Sequence, residues 1–265
     1  MLPSIDWSRP WYATVLPARR RLDLARDSVI VALNAQARAL DLRNPSGLPL
    51  GFVPQADLPD GVAYEEFIGA TGGVPTRDNL HDFFNALVWL TFPLIKRQLN
   101  ALQAAQIALS GVGKSRGPAR DGATIFDENS ALLVLREGDS GRALEAALRG
   151  HDWRSVFVDQ RAKFGEGGDA EVWLFGHALM EKLVAPYKAI TAHTRVVFAG
   201  DDYFVLDAAG RRAWLDRRVA HDLAQQGLTT ADFTPLPVLG LPGWCEGQDD
   251  DFYNDAAVFR PKREK

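Results

Sequence analysis

Residues 78–109 read DNLHDFFNALVWLTFPLIKRQLNALQAAQIAL. Leu80, Phe83, Phe84, Leu87 and Val88 recur at spacings of three and four, which aligns them on one face of a helix. Asp78 or Asn79 supplies a side-chain acceptor for the helix start. Pro93 lacks a backbone donor and crowds the preceding turn, so the pattern predicts two helices or a kink there, with Phe92 outside regular helix geometry.

Working outward, helices are expected at 23–40, 141–148 and 211–226, the last ending at Gly227. Trp153, Val156, Phe157, Gln160 and Phe164 fit a further one. Residues 171–185 are apolar almost all round and read as a buried helix. Short strands are expected at 131–135 and 203–206, and a loop at 110–122. Pro- and Gly-rich segments at 41–76 and 234–265 read as irregular, with an element of undecided type at 64–68. The expected fold is mainly α with a few short strands (α+β), in a single compact domain.

Hydrophobic residues make up 46% of the 265 positions and charged residues 24%, which excludes disorder and collagen-like repetition. Thirty Lys+Arg against 34 Asp+Glu leave a net charge of −4, the wrong sign for a general polyanion binder. One cysteine, Cys245, excludes a disulfide framework and a Cys-based structural zinc site, and fits a reducing cytosol. No apolar run approaches the roughly 20 residues that span a bilayer, and the N-terminus has no signal-peptide pattern.

The strongest candidate site lies opposite the apolar stripe of the first long helix. Asp78, His81, Asp82 and Asn85 fall at i, i+3, i+4 and i+7, on one face. Such a face is ordinarily solvated. Here Trp89 continues it one turn later, so the face is expected to be covered. Covered His, Asp and Asn side chains need partners.

His177 and Glu181 form a second candidate, four residues apart in an apolar setting. A buried Glu181 must be protonated, paired or metal-bound. Two readings stay open: a structural His177–Glu181 pair, and ligation of a divalent metal ion. A third cluster, Arg120-Asp121 with Asp127-Glu128, combines carboxylates able to divide acid and base roles with a cation.

Residues 108–115, ALSGVGKS, satisfy a relaxed phosphate-loop pattern. The expected context is a helix before the motif and RGPARDG after it, where a strand and then a helix are required. No specific nucleotide is therefore expected there. Lys96, Arg97, Lys114, Arg116 and Arg120 then read as a solvated basic stretch at 96–120.

The stretch GVPTRDNLHDFFNALVWLTFPLIKRQLN, residues 73–100, resembles the signature of a bacterial family, domain of unknown function 3025. FDENSALLV, LFGHALMEKLVAPYKAITAH and LPVLGLPGW resemble its later blocks. The resemblance covers about Phe52 to Pro261. It implies a proteobacterial, cytoplasmic protein and one structural unit, and carries over no catalytic residue, substrate or cofactor.

Two functional expectations follow. In the first, the protein is a metal-assisted hydrolase acting on an anionic small molecule or phosphoester. His81, Asp82, Asn85, Asp127 and Glu128 would do the chemistry, His177 and Glu181 would bind the metal, and Arg77 and Arg120 would hold the substrate. In the second, the same groups form an internal polar network in a non-catalytic binding protein, whose basic loop meets an acidic or nucleic-acid partner. The net charge disfavours nucleic acid. The separation of His81 and His177 discriminates between the two.

Overall fold

The protein, seen as a computed structural model, is described over residues 5–110, 118–165 and 167–262. A turn at Pro10–Tyr12 leads into α1 (Leu16–Arg20) and α2 (Val29–Ala39). Ser28 caps α2, so residues 23–28 lie outside the expected helix. Strand β1 (Gly51–Pro54), α3 (Tyr64–Thr71) and β2 (Gly73–Thr76) follow. β1 and β2 pair in parallel, giving order to much of a segment expected to be irregular.

The long apolar signal becomes α4 (Leu80–Thr91) and α5 (Pro93–Ser110). Phe92, at φ −128° and ψ 61°, is the break that Pro93 requires. Phe83, Phe84, Leu87 and Val88 are buried as the spacing predicts. Asp216 caps α5 from a distant helix, accepting hydrogen bonds from Leu94 N (3.1 Å) and Ile95 N (2.9 Å).

Next come α6 (Pro118–Asn129), β3 (Ser130–Arg136) and α7 (Asp139–Gly150). The expected loop at 110–122 is therefore helical from Pro118, which suits the first turn because its missing donor is unused there. The GVGKS residues lie outside the described residues, so the phosphate-loop expectation has only its flanks: a helix before it, as expected, and a helix after it, contrary to expectation. The aromatic residues 153–164 adopt irregular helical turns, Ser155–Asp159 and Arg161–Phe164.

The expected helix at 171–185 is corrected to β4 (Ala170–Leu174) followed by the short α8 (His177–Lys182). A short run apolar on all sides suits a buried strand as well as a helix, and periodicity does not separate the two. Pairing with β3 decides it, with Leu132 opposite Trp173. Strand β5 (Thr191–Ala199) has no counterpart in the sequence reading, and residues 203–206 form the end of α9 (Asp201–Phe204) and the turn after it, not a strand. α10 (Ala208–Gln226), β6 (Thr234–Pro237) and α11 (Asp250–Tyr253) complete the chain.

The main sheet has the order β4-β3-β5-β6, with β3 parallel to β5 and the outer pairs antiparallel. Its central strand, SALLVLR, is buried at every position but the last, as a strand covered on both faces must be. The fold is α+β. No helix among the described residues is long and apolar enough to cross a membrane.

Candidate functional site

The junction of α6 with β3 organises the site. Ser130 O accepts hydrogen bonds from Phe175 N (3.1 Å) and Gly176 N (2.8 Å). A Cβ on Gly176 would stand 2.4 Å from Ser130 N and 2.5 Å from Glu128 O, so only glycine allows this approach. His177 opens α8 immediately afterwards, beside the end of α6 that carries Asp127.

α4 packs on α8. His81 and His177 meet there, with their Nε2 atoms 3.1 Å apart and their rings nearly perpendicular at 81°. His81 Nδ1 lies 3.0 Å from Glu181 Oε2. His177 Nδ1 faces Asp127 Oδ2 at 3.7 Å, beyond hydrogen-bond range. The expected direct His177–Glu181 pair is thus corrected: His81 stands between them, and the side chain of Glu181 is 39% exposed rather than buried.

Asp127 is buried and receives a short hydrogen bond from Lys96 Nζ (2.5 Å). The same ammonium donates to Asn85 Oδ1 (2.8 Å) and lies 5.2 Å from the Trp89 ring centroid. Asn85 Nδ2 donates to the Tyr64 hydroxyl at 3.0 Å. The expected solvated role of Lys96 is corrected, since only 4% of it is exposed. Lys96 and Asn100 continue the stripe set by Phe92, Ile95 and Leu99 at helical spacing, a signal present in the sequence.

Burial works against the charge of Asp127, yet Lys96, followed by His177, holds its carboxyl below the ordinary range. Burial pushes His177 down to about 4, against the pull of Asp127, so the ring is neutral at neutral pH. The Nε2–Nε2 contact then needs one ring to donate and the other to accept, the arrangement of a proton relay.

Asp82, proposed for chemistry from its spacing, is engaged by Arg77 through Nε (2.8 Å), Nη2 (2.9 Å) and the backbone N (2.7 Å). Burial opposes its charge, and the Arg77 hydrogen bonds outweigh burial to lower its carboxyl. Asn79 Oδ1 caps the same turn through Asp82 N (2.8 Å). Asp82 thereby fixes Arg77, whose side chain remains 56% exposed.

Six of these residues, Arg77, His81, Asp82, Asn85, Asp127 and His177, line a cavity of about 410 Å³, with Tyr64, Glu65, Arg120 and Glu128 completing the polar wall. Arg120 Nη1 is buried there without a hydrogen-bond partner among the described residues. Arg77, His81, Asp82, Asn85, Arg120, Asp127, Glu128 and His177 therefore converge, while Glu181 backs His81 from outside the lining. Tyr64 and Glu65 were not singled out from the sequence, and Lys96 was read only as part of a solvated basic stretch. Among the described residues, no group of three or more His, Cys, Asp or Glu is disposed to hold a metal ion.

The model of a family described as "Protein of unknown function (DUF3025)" matches residues 50–263. The chain belongs to that family. Its matched span includes every residue of the cavity wall. No curated protein and no solved structure matches the chain.

Proposed function

We propose that this DUF3025 protein is a hydrolase of small anionic esters or phosphoesters that works by general acid–base catalysis. The observation that carries this reading is the His81–His177 contact, backed by Glu181 and Asp127 on the wall of a cavity that also holds the unpartnered Arg120 Nη1. A neutral imidazole accepts a proton from water, and a second ring passes it on. Arg120 suits an anionic substrate, because its Nη1 has a donor left to give to an oxyanion, and the half-exposed Arg77, held in place by Asp82, adds positive charge to the same wall.

One observation favours a metal-assisted version. Two histidines whose Nε2 atoms converge and whose Nδ1 atoms face carboxylates resemble metal-binding histidines with their supporting shell. In that version His81 and His177 would be ligands and Glu181 would orient His81, in place of the ligand pair His177 and Glu181.

The test is turnover of p-nitrophenyl phosphate, bis-p-nitrophenyl phosphate and p-nitrophenyl hemisuccinate by protein purified without chelator, alongside elemental analysis. Turnover of one class that falls about 100-fold or more in His177→Asn is expected. Wild-type protein that turns over none of them overturns the reading. A stoichiometric divalent ion that is lost in His177→Asn selects the metal-assisted version.

A further inference from the structure

Two carboxylates on the cavity wall, Glu65 and Asp127, have opposite surroundings. Asp127 is ion-paired with Lys96 and faces His177. Glu65 stands on the second residue of α3, and its carboxylate accepts from Asn100 Nδ2 (2.6 Å), an uncharged amide. Asn100 Nδ2 also donates to Glu65 O (2.8 Å), which anchors that turn of α3 against α5. Among the described residues no Lys, Arg or His pairs with Glu65 directly.

The charged and titratable groups that share its cavity wall or act on it come from α4, α5, α6 and α8, the last through His177, and from Arg77 just before α4. Lys96 approaches from α5, and Arg120, Asp127 and Glu128 from α6. His81 and Asp82 belong to the wall formed by α4, and Asp82 is already neutralised by Arg77. Lys96, whose charge acts on Glu65, is committed by its hydrogen bond to Asp127. Glu65 therefore sits on the wall of a half-open polar cavity with an uncharged direct donor, Asn100, and no direct ion pair among the described residues, a setting that favours a carboxylic acid keeping its proton.

We infer that Glu65 is the catalytic acid that protonates the leaving group in this reaction, in the same cavity as the histidine pair that activates water. The inference rests on the hydrolase reading. Water oxygen bonds to the acyl carbon or phosphorus, and the water proton passes to the histidine pair. The bond to the leaving oxygen breaks with its electron pair, and that oxygen takes the Glu65 proton. The histidine pair then returns its proton to Glu65 through solvent, so the cycle closes with no other reactant. Burial pushes the Glu65 carboxyl up, with Lys96 opposing and Asp127 adding, which agrees with this role.

The experiment compares Glu65→Gln with wild type on matched p-nitrophenyl and phenyl substrates. The amide keeps the hydrogen bond from Asn100 but has no proton to give. Turnover of the phenyl substrate, whose leaving group needs protonation, is expected to fall about 100-fold or more, and that of the p-nitrophenyl substrate far less. The alkaline limb of the kcat profile should disappear with the substitution, and Glu65→Asp should restore part of the phenyl rate. Equal losses on both substrates, or an intact alkaline limb, overturn the assignment while leaving the hydrolase reading standing. Carbon NMR titration of the Glu65 carboxyl in wild type needs no turnover. Protonation persisting well above the ordinary carboxylate range is expected, and ordinary titration overturns the role by itself. Wild type that hydrolyses neither substrate defeats the hydrolase reading and this role together.

Discussion

His81 and His177, 96 positions apart in the chain, bring their Nε2 atoms to 3.1 Å. Each ring has a carboxylate facing its other nitrogen, Glu181 for His81 and Asp127 for His177. The two carboxylates differ in their surroundings. Asp127 is buried against Lys96, whereas the His81–Glu181 contact is partly open to solvent, at 35% and 39% exposure.

That openness sets the expected behaviour of Glu181→Gln. A half-exposed pair contributes little to stability, so the loss should stay below about 1 kcal/mol. Turnover should fall about 10-fold or more, because a supporting partner fixes ring orientation. Thermal melting beside steady-state kinetics checks both. A large stability loss with unchanged turnover would mean that Glu181 only holds α8 in place.

Lys96→Met is expected to be far more costly. It strands the Asp127 carboxylate in a buried site and leaves Asn85 Oδ1 without its donor. Such a loss is on the order of 3–5 kcal/mol. Adding Asp127→Leu to Lys96→Met should recover part of it, since an apolar pair avoids the stranded charge. Urea unfolding of the two variants reads the difference, and equal stabilities would contradict the buried-pair account.

Gly176→Ala tests how the fold serves the site. The added methyl meets backbone atoms of Glu128, Asn129 and Ser130 at 2.4–2.7 Å, and no flexible side chain can yield. Overpacking of this kind costs about 1–3 kcal/mol. The shift moves His177 relative to Asp127, so turnover should fall more steeply than stability. Retained activity at wild-type stability would show that the junction tolerates movement.

Asp216 gives the clearest pH signature. Burial raises its carboxyl from 3.8 to about 6, although Leu94 N and Ile95 N hydrogen-bond to it. The folded chain thus holds this proton more tightly than the unfolded chain. The contribution to stability is full below about pH 4 and is lost as pH rises to about 6, by an amount on the order of 2–3 kcal/mol. Asp216→Asn should flatten that part of the stability profile in denaturant titrations at several pH values. An unchanged slope would assign the pH dependence elsewhere.

Local physics made α4, the break at Phe92–Pro93, α5, α7, α10 and the core strand β3 legible in the sequence. Each depends on a periodic stripe, a cap or a proline whose effect does not reach beyond a few residues. The polar face of α4 was legible for the same reason: Trp89, one turn beyond Asn85, showed that it had to be covered. What covers it was not. Residues 170–182 are apolar enough for either helix or strand, and only pairing with β3 made the first five of them β4. Lys96 looked solvated because its partner, Asp127, lies 31 positions away and its burial depends on the docking of α6. Tertiary structure alone brought Glu65, Arg120 and the two histidines to one cavity. Contacts of 21 to 100 residues' separation are set by how helices and sheet pack as bodies, and periodicity along the chain carries no record of that packing.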